Sequence, residues 1–239
     1  MAPVVRDLRA GSPKSLIKLV EKFFETRAVR SIRTANEHVL QGVMEVLLEP
    51  GNQVPELGLV VDGDKASGDG RFGFADLFIP RKATGTVEDE TCIILELKNT
   101  TLEGLWMGAS NNSTPTPTHK NLQILQETLK KEKGTTLLSR RYMYPHYSQE
   151  GEQIWRSTTL KDMVDAGLNQ LEKHIQTIQK GNPASYNHAG IFDTRVKVTK
   201  GGHDNLQGYV VLGIGGTRVL VTSTERISTT FQYQRALQL

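Results

Sequence analysis

A fold of the α/β class is predicted by three observations. Apolar residues recur at helical spacing in two early segments and in one late one. Short apolar runs free of turn formers stand between and after them. Clusters of Gly, Pro, Asn, Asp and Ser separate these elements, as turn chemistry requires.

Ser12-Pro13 reads as an N-cap and first-turn proline, and Leu16, Leu19, Val20, Phe23 and Phe24 follow it at helical spacing. A second helix opens at Thr34-Ala35-Asn36-Glu37, with Leu40, Met44, Leu47 and Leu48 on its stripe, and stops at Glu49-Pro50-Gly51. Leu57 to Val61 predicts a strand, Asp62 to Gly70 a turn or hairpin loop, and Phe72 to Ile79 the next strand. Thr91 to Leu97 returns as another. Residues 107–120 hold a Ser, Thr, Asn and Pro run with no periodic apolar pattern, expected to be a flexible insert. Ser157-Thr158-Thr159 leads into a helix carrying Leu160, Met163, Val164, Leu168, Leu171, Ile175 and Ile178, which ends near Gly181-Asn182-Pro183. Tyr209 to Ile214 and Val219 to Thr222, joined by Gly215-Gly216-Thr217, predict a tight hairpin.

The 239 residues suit one domain with a core over about 34–223. No apolar stretch approaches the roughly 20 residues of a membrane span, and the first ten residues lack the apolar core of a signal peptide. An intracellular location, nuclear or cytoplasmic, with no membrane partner is expected. The single cysteine, Cys92, cannot form an internal disulfide, which agrees with a reducing compartment. Net charge is only +3, yet residues 119–147 carry six cations against two acids, so this segment holds the local excess. There Arg140-Arg141-Tyr142-Met143-Tyr144 interleaves cations and aromatics in the manner of a phosphate-holding, base-stacking surface, although a solvated loop would show the same composition. Gly213-Ile214-Gly215-Gly216 partly matches a dinucleotide fingerprint, but a strand follows it where phosphate binding needs a helix N-terminus.

The run CIILELKN, residues 92–99, poses the central chemical question. Ile93, Ile94, Leu95 and Leu97 suit a strand buried on both faces, yet Glu96 and Lys98 stand two apart within it. A desolvated carboxylate costs several kcal/mol unless a cation or hydrogen bonds compensate it. Alternation places Glu96 and Lys98 on one face with Ile94 and Cys92. The same rule places Asp76 on one face with Phe72, Phe74 and Phe78, a second lone charge in an apolar row. On neighbouring strands about 5 Å apart, Asp76, Glu96 and Lys98 would converge. Two facing carboxylates repel unless a divalent cation lies between them, and hard oxygen ligands suit Mg²⁺. A lysine beside them can orient an attacking water, which fits metal-assisted hydrolysis of a phosphodiester; alone, a Glu-x-Lys is more often a plain ion pair. Glu37 falls on the inward stripe of the second helix, where a capping box from Thr34 would also explain it. Gln170 lies beside Ala166 and Gly167, small residues that would let the last helix approach a sheet.

A helix with a glutamate, a strand with aspartate, a strand with Glu-x-Lys and a helix with glutamine, in this order, resemble the PD-(D/E)XK nuclease superfamily. SGDGRFGFADLFI and CIILELKN are similar to the branch seen in many fungal proteins, some joined to ATPase-like domains, and in the nuclease domains of Crinkler-type effectors. The likeness spans about Thr34 to Gln179. Ala75 stands where the motif has proline, and His174, four after Gln170, stands where related branches often carry tyrosine. The resemblance implies a restriction-endonuclease-like central mixed β-sheet flanked by helices, with one or two Mg²⁺ or Mn²⁺ ions. Asp76, Glu96 and the Leu97 carbonyl would be the metal ligands, Lys98 would act on the attacking water, and Glu37 and Gln170 would support them. Lys120, Arg140, Arg141 and His174 are the expected substrate contacts.

The expected function is therefore a metal-dependent endonuclease cutting DNA in preference to RNA, for which a two-fold homodimer would give the simplest double-strand cut. Two alternatives stand beside it: a non-cleaving nucleic-acid-binding or host-interacting effector module of nuclease-like fold, and a small-molecule phosphohydrolase.

Overall fold

In the computed structural model the described residues are 3–26, 36–48, 51–62, 64–65, 71–82, 90–109, 117–148, 151–183 and 188–236. They form a mixed seven-stranded sheet between helical layers, with a separate two-stranded ribbon. Helix α1 (Pro3–Arg9) and α2 (Lys14–Glu25) open the chain, followed by α3 (Glu37–Leu47) and strands β1 (Val54–Val60), β2 (Phe72–Ile79) and β3 (Thr91–Thr100). Helices α4 (Leu102–Ala109), α5 (His119–Lys131) and α6 (Gly134–Leu138) precede the ribbon, β4 (Arg141–Tyr147) and β5 (Gln153–Thr159). Helix α7 (Leu160–Ile178) is followed by β6 (Gly190–Ile191), β7 (Val196–Ile214), β8 (Arg218–Ser223) and β9 (Ile227–Arg235).

The sheet runs β6-β1-β2-β3-β7-β8, with β9 also paired to β7. Among the described residues β3 and β7 alone pair in parallel; the other pairs of this sheet are antiparallel. Alternation along β3 sorts its side chains between two layers. Ile93, Leu95 and Leu97 join Tyr209 and Val211 under α1, α2 and α3. Cys92 and Ile94 face the other way, against Leu171, Ile175 and Ile178 of α7. Glu96 and Lys98 continue the second set and so lie beneath α7. A third cluster joins Leu212 and Ile214 to α4, α5, α6 and Tyr142.

Most predicted elements are present, with differences at their ends. Pro13 rather than Ser12 occupies the N-cap position of α2. Helix α3 starts at Glu37 with Asn36 as its cap, the Asn36 side chain accepting the Val39 amide at 3.2 Å. Glu37 is thus the first helical residue and not the third-turn-position partner of Thr34, so the capping-box account of it fails; Thr34 itself lies outside the described residues. Of the insert expected over 107–120, residues 107–109 belong instead to α4 and Thr118 to Lys120 to the start of α5; residues 110–116 lie outside the described residues. Buried side chains also reach past 34–223, from Val4, Val5 and Leu8 to Tyr233. Among the described residues no helix is long and apolar enough to cross a membrane.

Local physics explains the elements that frame the site. In α7, Thr159 and Asp162 form a capping box, which satisfies two otherwise orphaned first-turn amides. A Cβ at Gly167 would come 2.9 Å from Val210 and 3.6 Å from Lys98, so glycine lets this helix press on the sheet over Lys98; Ala166 is exposed. The β7–β8 hairpin turns through Gly215 and Gly216, both at positive φ (56° and 58°), a conformation that glycine adopts without steric cost.

Candidate metal and phosphodiester site

The β2–β3 ladder ends at the pair Leu77↔Leu95. Beyond that point the strands part, and the Leu97 amide donates to Asp76 Oδ2 at 2.6 Å. A residue's N–H and C=O leave a strand on the same edge, so the Leu97 carbonyl opens toward the same gap. Asp76 therefore stands against β3 where the sheet comes apart, within the electrostatic field of Glu96.

Asp76 does not share the surroundings of Phe78. Phe78 is fully buried, whereas Phe74 is 59% exposed. Ala75, which strict alternation would set with Leu77 under α3, packs instead with Leu57 and Phe78 in the layer under α7. Simple alternation through Asp76 is corrected here: the strand rotates at this residue. Across from it on β1, between the pairs Pro55↔Leu77 and Leu57↔Ala75, stands Glu56 at φ 48°, an uncommon conformation for a residue with a Cβ. Arg195 donates to the Glu56 carbonyl at 3.0 Å and holds this kink.

Glu96 is fully buried. Its Oε1 accepts from Lys98 Nζ at 2.7 Å, while Oε2 has no hydrogen bond and lies 3.4 Å from His174 Nδ1, which also lacks one. His174 was expected to touch substrate; it is itself buried and packs on the acid. Lys98 Nζ lies 3.8 Å from Glu37 Oε2, so one ammonium spans the acids of β3 and α3. Asn99 fixes that span by donating to the Asn36 carbonyl at 3.2 Å, at the mouth of α3. Gly167, half-buried Gln170 and His174 occupy successive turns of α7 over this cluster.

The electrostatics follow from burial and crowding. Desolvation and then the field of Glu96 push Asp76 up to about 6, against the opposing Leu97 hydrogen bond and Lys98. Glu37 is raised, first by burial, with Lys98 acting against it. Burial works to lower Lys98, but Glu96, Glu37 and Asp76 outweigh it and its pKa is raised. Each group thus feels the others, as members of one cluster do.

The donors present fit a hard divalent cation: two carboxylates in one another's field, a buried Glu96 oxygen without a donor, and a carbonyl edge opening between the strands. Among the described residues no three Asp, Glu, His or Cys side chains are grouped to hold a metal, so the backbone oxygen and water would have to complete the shell.

The other expected substrate contacts lie apart from this cluster. Lys120 is exposed in the first turn of α5, Arg140 is held by both oxygens of Glu132, and exposed Arg141 donates to Ser157 at 3.1 Å. Sequence reasoning missed an apolar cavity of about 500 Å³ bounded by Glu56, Phe72, Phe74, Phe192 and Arg195. The alternating phenylalanines of β2 were its only sequence signal, since Phe192 arrives from beyond α7. Comparison of the chain with family models, with curated proteins and with solved structures gives no match.

Proposed function

We propose that this chain is a metal-dependent endonuclease of the PD-(D/E)XK type, with a restriction-endonuclease-like sheet, acting on DNA. One observation carries the reading: Asp76 accepts the Leu97 amide at the parting of β2 and β3, within the electrostatic field of Glu96, and Lys98 stands between Glu96 and Glu37. In such a site Asp76, Glu96 and the Leu97 carbonyl would hold Mg²⁺ or Mn²⁺. A divalent ion there supplies positive charge to the scissile phosphate and makes water more acidic. Lys98, with its charge secured by three acids, would orient the attacking water. Glu37 and Asn99 would hold the ammonium in place, and Gly167 would bring α7 close enough to shield it.

Purified protein incubated with Mg²⁺ or Mn²⁺ should nick and then linearise plasmid DNA, and Asp76→Asn and Lys98→Met should each reduce the rate by at least about 100-fold. Intact plasmid, single strands and RNA in both metals, together with no metal binding, would refute it.

A second reading, a nucleic-acid-binding module that does not cut, is favoured by one contact. Lys98 already compensates Glu96 at 2.7 Å, so the buried acid has a partner without any ion. Under that reading nucleic-acid affinity would be unchanged by Asp76→Asn and no preparation would cleave.

A further inference from the structure

Strands β4 and β5 form a ribbon outside the main sheet. Their register sets Met143 opposite Ser157, Pro145 opposite Trp155 and Tyr147 opposite Gln153, so these residues share a face with Arg141. Toward its tip the ribbon is open to solvent on both faces: Tyr147 is 64% and Trp155 42% exposed on this one, and Ile154 47% on the other. The opposite face carries Tyr142 and Tyr144, whose rings stack at 6.2 Å and seat the base of the ribbon on the third cluster. Glycine permits that seating, since a Cβ at Gly108 would lie 2.1 Å from the Arg141 carbonyl. A two-stranded ribbon adds little stability by itself, and folding gives no reason to leave tryptophan and tyrosine on its outer face. Both strands together contain Arg141 and Arg156 and no acidic residue.

We infer that the β4–β5 ribbon enters the major groove of B-form DNA and places Arg141 and Gln153 on base edges, with Tyr147 and Trp155 against the groove walls. The inference rests on the nuclease reading for the scissile phosphate, but the ribbon has its own physical grounds. Six steps from Arg141 to Tyr147 reach about 20 Å, and a two-stranded ribbon fits a groove about 12 Å wide. The major groove of A-form RNA is too deep and narrow for it. Arginine and glutamine are side chains that pair bidentately with guanine and adenine edges, and arginine also complements the polyanion. The chain passes directly from β5 into α7, and Gly167 beside Lys98 lies seven residues into that helix, about 10 Å along its axis. One duplex can therefore meet the ribbon and the acid cluster together.

The test measures binding of a short labelled duplex in Ca²⁺, over a range of salt, for the wild type, Arg141→Ala and Tyr147→Ala/Trp155→Ala. Arg141→Ala should lower affinity about tenfold and reduce the salt slope by about one. The aromatic pair should also cost about tenfold. Metal binding and melting temperature should stay at wild-type values, because these side chains face solvent. In a Trp106→Phe protein, Trp155 emission should change on adding duplex, which reads the ribbon without disturbing it. Wild-type duplex affinity in the ribbon variants, unchanged Trp155 emission, or equal affinity for single strands or duplex RNA would each overturn the inference. Failure of the nuclease reading looks different: no preparation cleaves in any metal while ribbon-dependent duplex binding persists.

Discussion

Asp76 bears the strongest electrostatic conflict in the candidate site, and its chemistry can be separated from its cost. Burial and Glu96 raise its pKa to about 6 from 3.8, so the folded protein holds this proton more tightly than the unfolded chain. Stability is therefore lost as pH rises from about 4 to about 6, and the loss is complete above that window. Asp76→Asn keeps an acceptor for the Leu97 amide without the charge. It should stabilise the protein by about 1–3 kcal/mol at neutral pH and by little near pH 4, from about 1.4 kcal/mol per unit. Thermal melts of both proteins across that range would check it; a gain that does not depend on pH would contradict it. Lys98 has the opposite sign, since removing it leaves Glu96 buried without its cation. Lys98→Met should cost about 3–5 kcal/mol in denaturant unfolding, and Lys98→Met/Glu96→Gln should recover most of that. Asp76, Glu96 and Lys98 were legible because each interrupts an apolar strand. The place of His174 was not: a histidine on a helix edge looks the same whether it meets substrate or packs on a buried acid.

At the scale of elements, the site exists because β2 leaves β3 after Leu77↔Leu95 and α7 closes over the gap. Gly167 sets the closeness of that helix, so Gly167→Leu should force α7 away from Val210. Overpacking of this kind costs about 1–3 kcal/mol, and displacement of His174 and Lys98 should lower any cleavage rate more than it lowers stability. Melting and single-turnover rates measured on the same variant separate the two effects. Periodicity showed β2, β3 and α7 nearly to their ends. It did not show the rotation at Asp76, because that depends on Glu56 at φ 48° in a partner strand. Nor did it show β4 and β5, whose exposed residues follow no buried alternation, or β9, which has meaning only beside the long β7.

Across the whole molecule, the end of the sheet opposite the site is locked by another buried charge. Asp204, at the irregularity in the middle of β7, accepts from Arg81 at 3.0 Å and from the Tyr233 amide at 2.8 Å, joining the residues that follow β2 to β7 and β9. Breaking a buried pair by removing one partner costs about 3–5 kcal/mol. Arg81→Met should therefore lower the melting temperature sharply while leaving the metal response intact, as calorimetry with and without Mn²⁺ would show. The α/β class and the mixture of helices and strands could be read from patterning. The seven-strand order could not, since the β3–β7 pairing joins segments more than a hundred residues apart and leaves no local trace.

The most direct measurement is a calorimetric titration of Mn²⁺ into the wild type, Asp76→Asn and Glu96→Gln at neutral pH. Saturable binding by the wild type, lost or weakened at least about tenfold in each variant, is the predicted result; at a hundred times the dissociation constant it should also stabilise the wild type by about 2.7 kcal/mol. A wild type that binds no Mn²⁺, or variants that bind it equally well, would contradict a cation held jointly by Asp76 and Glu96.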